Sequence, residues 1–187
     1  MLKTLAAALL LTSALATAAP AAQPIVTKIE KNADGSLTFY FSIKIDQDET
    51  MQIGEGKSSP DFVTVYNFYG LVDGSVKTPP GWEFTSEDFG RTPVLDGYPL
   101  VAPVDIPNTP NLTWTATKPV PAGTEVTGFM ATTKVAGTVT GQYSAQVTRQ
   151  IPAIPGVLAD MPGGTATTSK QAQIGSLPTP RFLIDVK

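Results

Sequence analysis

The sequence predicts an all-β fold: an antiparallel β-sandwich of about seven to nine short strands, with a long Pro-rich loop and an irregular C-terminal tail. Three observations predict it. Leu37, Phe39, Phe41, Ile43 and Ile45 alternate with Thr38, Tyr40, Ser42 and Lys44, the period of two that turns one face of a strand to a core and the other to solvent. The chain holds 17 prolines and 16 glycines beside abundant Thr and Val, a composition that disfavours long helices and suits short strands. Clusters of turn-forming residues, such as Asn32-Ala33-Asp34-Gly35-Ser36, separate the apolar runs.

Taken in order, the chain opens with Lys3, an apolar run over 5–16 and the small residues Ala16 and Ala18. This is the three-part plan of a secretory signal, with an apolar segment too short to cross a bilayer of roughly 30 Å. Residues 1–18 are therefore assigned as signal peptide, cleaved after Ala18, with a cut after Ala21 as the alternative. Residues 19–150 form the β-sandwich domain, and 151–187 a Pro/Gly/Thr-rich tail.

Within the domain, strands are expected at 25–31 and 37–45, joined as a hairpin, and at 62–69, where the run FVTVYNFY is apolar on both faces. A short strand follows at 82–85. Prolines at 93, 99, 103, 107 and 110 make 87–110 an extended loop. Strands resume at 111–117, 125–135 and 138–149. In 111–117, Leu112, Trp114 and Ala116 point one way, toward the core. In the tail, 152–170 is expected as a mobile linker, and Phe182, Leu183, Ile184 and Val186 as part of an edge strand over 181–186.

Charge and composition exclude several functions. A formal net charge of −3 with no basic cluster argues against nucleic acid or an anionic membrane as partner. No stretch after the leader is long and apolar enough to span a bilayer. The chain has no histidine and no cysteine, which removes His-based general bases, thiolate nucleophiles, the usual zinc, haem and copper ligand sets, disulfides and lipid attachment at a cysteine. The short leader and the absence of cysteine together point to a bacterial, cysteine-free, secreted or periplasmic protein.

The remaining chemistry rests on carboxylates, hydroxyls, lysines and aromatics. Asp46, Asp48 and Glu49 resemble the start of a calcium loop, since hard cations take several oxygens on a tight turn, although Met51 stands where the turn glycine belongs. Calcium is the one cofactor considered; otherwise none is implied. Glu83 and Asp88 beside Trp82 supply two carboxylates near an aromatic, the raw material of glycoside hydrolysis. Tyr40, Trp82 and Tyr98 are candidates for stacking on a sugar. Gly54-Glu55-Gly56-Lys57-Ser58 ends like a phosphate-binding loop but lacks the first glycine, at 51. Ser169-Lys170 as a nucleophile pair would need a buried lysine inside an expected linker.

Residues 61–70 (DFVTVYNFYG), 80–84 (PGWEF), 106–115 (IPNTPNLTWT) and the strand over 141–149 resemble a group of uncharacterised exported bacterial proteins of the PEP-CTERM-associated type. The resemblance covers about half the chain and implies an exported surface or matrix-associated protein. Such proteins finish with a Val-Pro-Glu-Pro-like motif, an apolar helix and a basic tip, whereas this sequence ends LPTPRFLIDVK, so free secretion or periplasmic residence is expected.

The expected function is a non-enzymatic structural or interaction β-domain at the cell exterior, whose partner is an extracellular polysaccharide or another surface protein. The alternatives are a carbohydrate-binding module, calcium-assisted or not, and a glycoside hydrolase using Glu83 and Asp88.

Overall fold

The structure, a computed structural model, describes residues 22–54, 59–95, 98–99 and 102–181, with backbone alone for 94–95 and 98–99. The signal segment and most of the edge strand expected at 181–186 lie outside the described residues. The strands are β1 (Gln23–Lys31), β2 (Leu37–Lys44), β3 (Glu49–Thr50), β4 (Phe62–Val65), β5 (Trp82–Glu87), β6 (Val94–Leu95), β7 (Tyr98–Pro99), β8 (Asn111–Ala116), β9 (Glu125–Thr133), β10 (Thr138–Ile151) and β11 (Thr167–Pro180). All the paired strands are antiparallel. One sheet has the order β1-β2-β9 and the larger one β11-β10-β4-β8-β5, with β3 pairing β10 off this path and β6-β7 a separate ribbon. The protein is all-β, built as sandwich-like antiparallel sheets.

The expected hairpin is β1-β2. Asp34 accepts hydrogen bonds from the Ser36 amide (3.0 Å) and hydroxyl (2.6 Å), closing a turn in which Gly35 takes φ +86°, a conformation that a side chain at this position would strain. On β2, Phe39, Phe41 and Ile43 are buried, and Trp114 of β8 meets Phe41 from the opposite sheet at 5.5 Å between ring centroids. Trp114 also packs on Phe129 of β9 at 5.4 Å and on Phe84 of β5 at 6.1 Å. It thus joins the two sheets at the centre of the core, while Val63, Val65, Tyr143, Ala145 and Val147 fill the layer around it.

The other face of β2 departs from expectation. Thr38 and Ser42 are buried rather than solvent-facing, because β2 is the central strand of its sheet and short side chains there lie below their neighbours. Thr38 is bonded to Asn32 (2.9 Å) and Thr132 (3.0 Å).

A larger departure is the tail. Residues 152–166 are irregular, as expected, but 167–180 form β11, in register with β10 from Thr138↔Pro180 to Ile151↔Thr167. Its stability comes from the backbone ladder, and Leu177 is its only buried large apolar side chain. Pro178 and Pro180 are tolerated because an edge strand does not need every amide. Gly175 is required, since a Cβ there would come within 2.5 Å of the Tyr143 ring.

Candidate functional site

The outer face of the larger sheet is polar yet buried. Thr64, Thr113, Ser144, Gln146 and Thr148 are all inaccessible, with Thr64 and Thr113 bonded to each other at 2.8 Å across β4 and β8. The Pro-rich loop covers one end of this face. The hydroxyls of Tyr66 and Ser144 both donate to the Arg91 carbonyl, at 2.8 and 2.7 Å. Asn67, held at φ +54°, donates from its side chain to the Val104 carbonyl (2.6 Å) and accepts from the Ile106 amide (2.7 Å). Gly90 lies so close to the Tyr66 ring that a Cβ would collide with it. The Gly90 amide donates to Asp105 at 3.1 Å, joining the two limbs of the loop. At those limbs the loop presents Phe89, 79% exposed, and Val104, 74% exposed.

Two ionic clusters lie at the other end, where the β10-β11 hairpin leaves the sheet. Thr148 and Arg149 are consecutive on β10 and so face opposite ways. Toward one face, Arg149 pairs Nη2 with Glu49 Oε1 at 3.2 Å, and its Nε lies 3.1 Å from Asp48 Oδ2 without hydrogen-bond geometry. Glu49 is buried, and its Oε2 has no hydrogen-bond partner among the described residues. Burial pushes its carboxyl up to about 7; Arg149 pulls the other way, and Asp48 and Asp46 add to the rise. Toward the other face, Lys170 Nζ reaches Asp61 Oδ1 at 2.7 Å and Thr148 Oγ1 at 3.0 Å. Asp61 Oδ2 accepts from Thr148 Oγ1 and from the Gln52 amide, both at 2.8 Å.

This geometry relocates the residues singled out by sequence. Asp46, Asp48 and Glu49 do not form a calcium loop here: the Arg149 guanidinium is the cation facing Asp48 and Glu49, and no group of three or more carboxylates suited to a metal occurs among the described residues. Trp82 is only 8% exposed and packs edge-on against Phe129 at 5.0 Å, so it is a core residue rather than a stacking surface. Tyr40 is half-buried, donates its hydroxyl to Glu30 at 3.0 Å and has Lys28 Nζ 5.3 Å from its ring centroid, which occupies one face of the ring. Tyr98 lies in β7, and its side chain is outside the described residues.

Glu83 and Asp88 are exposed at opposite ends of β5 and are not brought together. Ser169 and Lys170 face opposite ways on β11, with Lys170 engaged by Asp61. Residues 55–58 of the phosphate-loop-like stretch are outside the described residues. Comparison with protein-family models, curated proteins and solved structures gives no match to this chain.

Sequence reasoning missed Phe89 and the two ionic clusters. Phe89 was readable in principle, as an aromatic between Asp88 and Gly90 in a loop too irregular to bury it. The clusters join residues 100 and 109 positions apart, a pairing that only the register of β10 with β3 and β11 creates.

Proposed function

We propose that the chain is a structural or interaction β-domain of an exported bacterial protein, non-enzymatic, and resident in the periplasm or the extracellular space after cleavage near Ala18. The observation that carries this reading is where the exposed apolar side chains lie. Ile151, Ile154, Leu158 and Met161 crowd the connection between the two longest strands, with Leu158 68% exposed. Meanwhile the buried carboxylates Glu49 and Asp61, with Arg149 and the partly buried Lys170, are engaged in fastening the root of the same hairpin. Contiguous exposed apolar side chains mark contact surfaces. The exported setting rests on Lys3, the apolar run over 5–16 and the resemblance to exported bacterial proteins.

Two measurements test this. N-terminal sequencing of the protein recovered outside the cytoplasm should start at Ala19; a chain starting at Met1 removes the export reading. In a co-sedimentation assay with envelopes and surface polymer from the producing cells, Ile154→Asp together with Leu158→Asp should lower retention at least tenfold, since each buried aliphatic side chain contributes about 1.5–3 kcal/mol. Unchanged retention removes the contact surface.

A second reading, a carbohydrate-binding module, is favoured by Phe89, whose ring is open to solvent beside the polar groups of Asp88 and Arg91. On a glycan array, Phe89→Ala should abolish binding with no change in melting temperature. Calcium should make no difference, because the Arg149 guanidinium is the cation that already faces Asp48 and Glu49.

A further inference from the structure

The Asp61–Lys170 contact has more in it than charge pairing. Asp61 is fully buried at the start of β4, and Lys170 reaches it from the edge strand β11, across Thr148 of the intervening β10. Lys170 Nζ is 2.7 Å from Oδ1. Oδ2 is held by two donors on the other side, the Gln52 amide and the Thr148 hydroxyl, each at 2.8 Å. The amine is therefore in contact with one carboxyl oxygen, while the other sits in a two-donor cradle of the kind that stabilises an oxyanion. Thr148 Oγ1 also accepts from Nζ at 3.0 Å, which fixes the amine beside the carboxyl group, and the direct 2.7 Å contact carries protons from Nζ to Oδ1.

We propose that Asp61 and Lys170 condense into an intramolecular amide cross-link. Transfer of one proton from Nζ to the carboxyl group, across the 2.7 Å contact with Oδ1, opens a neutral amine–acid pair. The Nζ lone pair then forms a bond to Cγ, and the Cγ–Oδ2 π electrons move onto Oδ2, where the Gln52 amide and Thr148 hydroxyl receive them. Collapse reforms the carbonyl and breaks the Cγ–Oδ1 bond. Oδ1 leaves as water, carrying two of the three protons that began on the ammonium. The ammonium and carboxylate become one amide and one water, with nothing oxidised or reduced and no co-reactant consumed. Holding the groups in contact supplies the effective concentration that such a step lacks in solution.

The consequence is mechanical. Among the described residues β11 pairs with β10 alone, and the amide would fasten it past β10 to the segment that leads into β4. It would close a loop between positions 109 residues apart, in a chain with no cysteine to do so by disulfide.

The test is the intact mass of the purified protein under denaturing conditions. The expected result is a mass lower than that of its sequence by one water, with proteolysis releasing a branched peptide that joins the segments containing Asp61 and Lys170. Lys170→Arg should restore the full sequence mass. A succinimide at Asp61 would also lose water, but it would persist in Lys170→Arg and give no joined peptide, and that outcome overturns the proposal. Asp61→Asn should change the lost molecule from water to ammonia. A wild-type mass equal to that of the sequence overturns the proposal directly, whatever the variants do.

Discussion

Trp114→Ala should destabilise the domain by about 3–5 kcal/mol, the cost of emptying a large aromatic site in a packed core. That is a large share of the roughly 5–15 kcal/mol that holds a domain of this size together. The indole is fully buried and touches Phe41 and Phe129 of one sheet and Phe84 of its own, so its loss opens the seam between the sheets rather than one edge. Its Nε1 has no hydrogen-bond partner among the described residues. Trp114→Phe removes that unsatisfied donor along with part of the ring and should therefore cost much less. Val104→Ala, in the exposed loop, should stay within about 0.5 kcal/mol of wild type. Urea titrations of the three variants check the order. A Trp114→Ala protein within about 1 kcal/mol of wild type would mean that the two sheets do not meet at this residue.

The core was readable in the sequence because it depends on local alternation. Phe39, Phe41 and Ile43 on β2, and Leu112 and Trp114 on β8, declare their faces within a few residues. Facing alone misled at Thr38 and Ser42, where burial follows from the place of β2 between β1 and β9 and not from side-chain type. β11 was not readable for the opposite reason: Thr167 to Pro180 carries few large apolar side chains, and its structure rests on fourteen paired positions supplied by β10, which local pattern does not encode. The same register creates the candidate site. Asp48 and Glu49 read as metal ligands until β3 is laid beside Arg149, and Lys170 reads as linker until β11 brings it to Asp61. Trp82 read as a candidate stacking aromatic for want of knowing that β5 pairs with β8 and that its ring packs on Phe129.

Glu49 should make stability fall as pH rises through neutrality, the reverse of the usual behaviour of an ion-paired carboxylate. Its folded value of about 7 stands above the ordinary 4.5 because burial outweighs the attraction of Arg149. The native state therefore binds the Glu49 proton more tightly than the unfolded chain does. Stability from this group is complete below about pH 4.5, declines as pH rises toward 7, and is lost above it, a change of about 3 kcal/mol for a shift of this size. The chain has no histidine, so no other side-chain type has its ordinary titration between pH 5 and 8. Glu49→Gln keeps an oxygen for Arg149 and removes the charge that must otherwise be buried, while Asp48 remains to face the guanidinium. Urea titrations at pH 5, 6, 7 and 8 should show wild type weakening across the series and Glu49→Gln nearly flat, so that the variant is the more stable protein at pH 8. Arg149→Met should have the contrary effect, steepening the decline by withdrawing the one attraction that holds the Glu49 charge in place. A wild type whose stability rises over this range, with Glu49→Gln weaker at pH 8, would show that Arg149 compensates the burial in full and that the cluster is an ordinary stabilising ion pair.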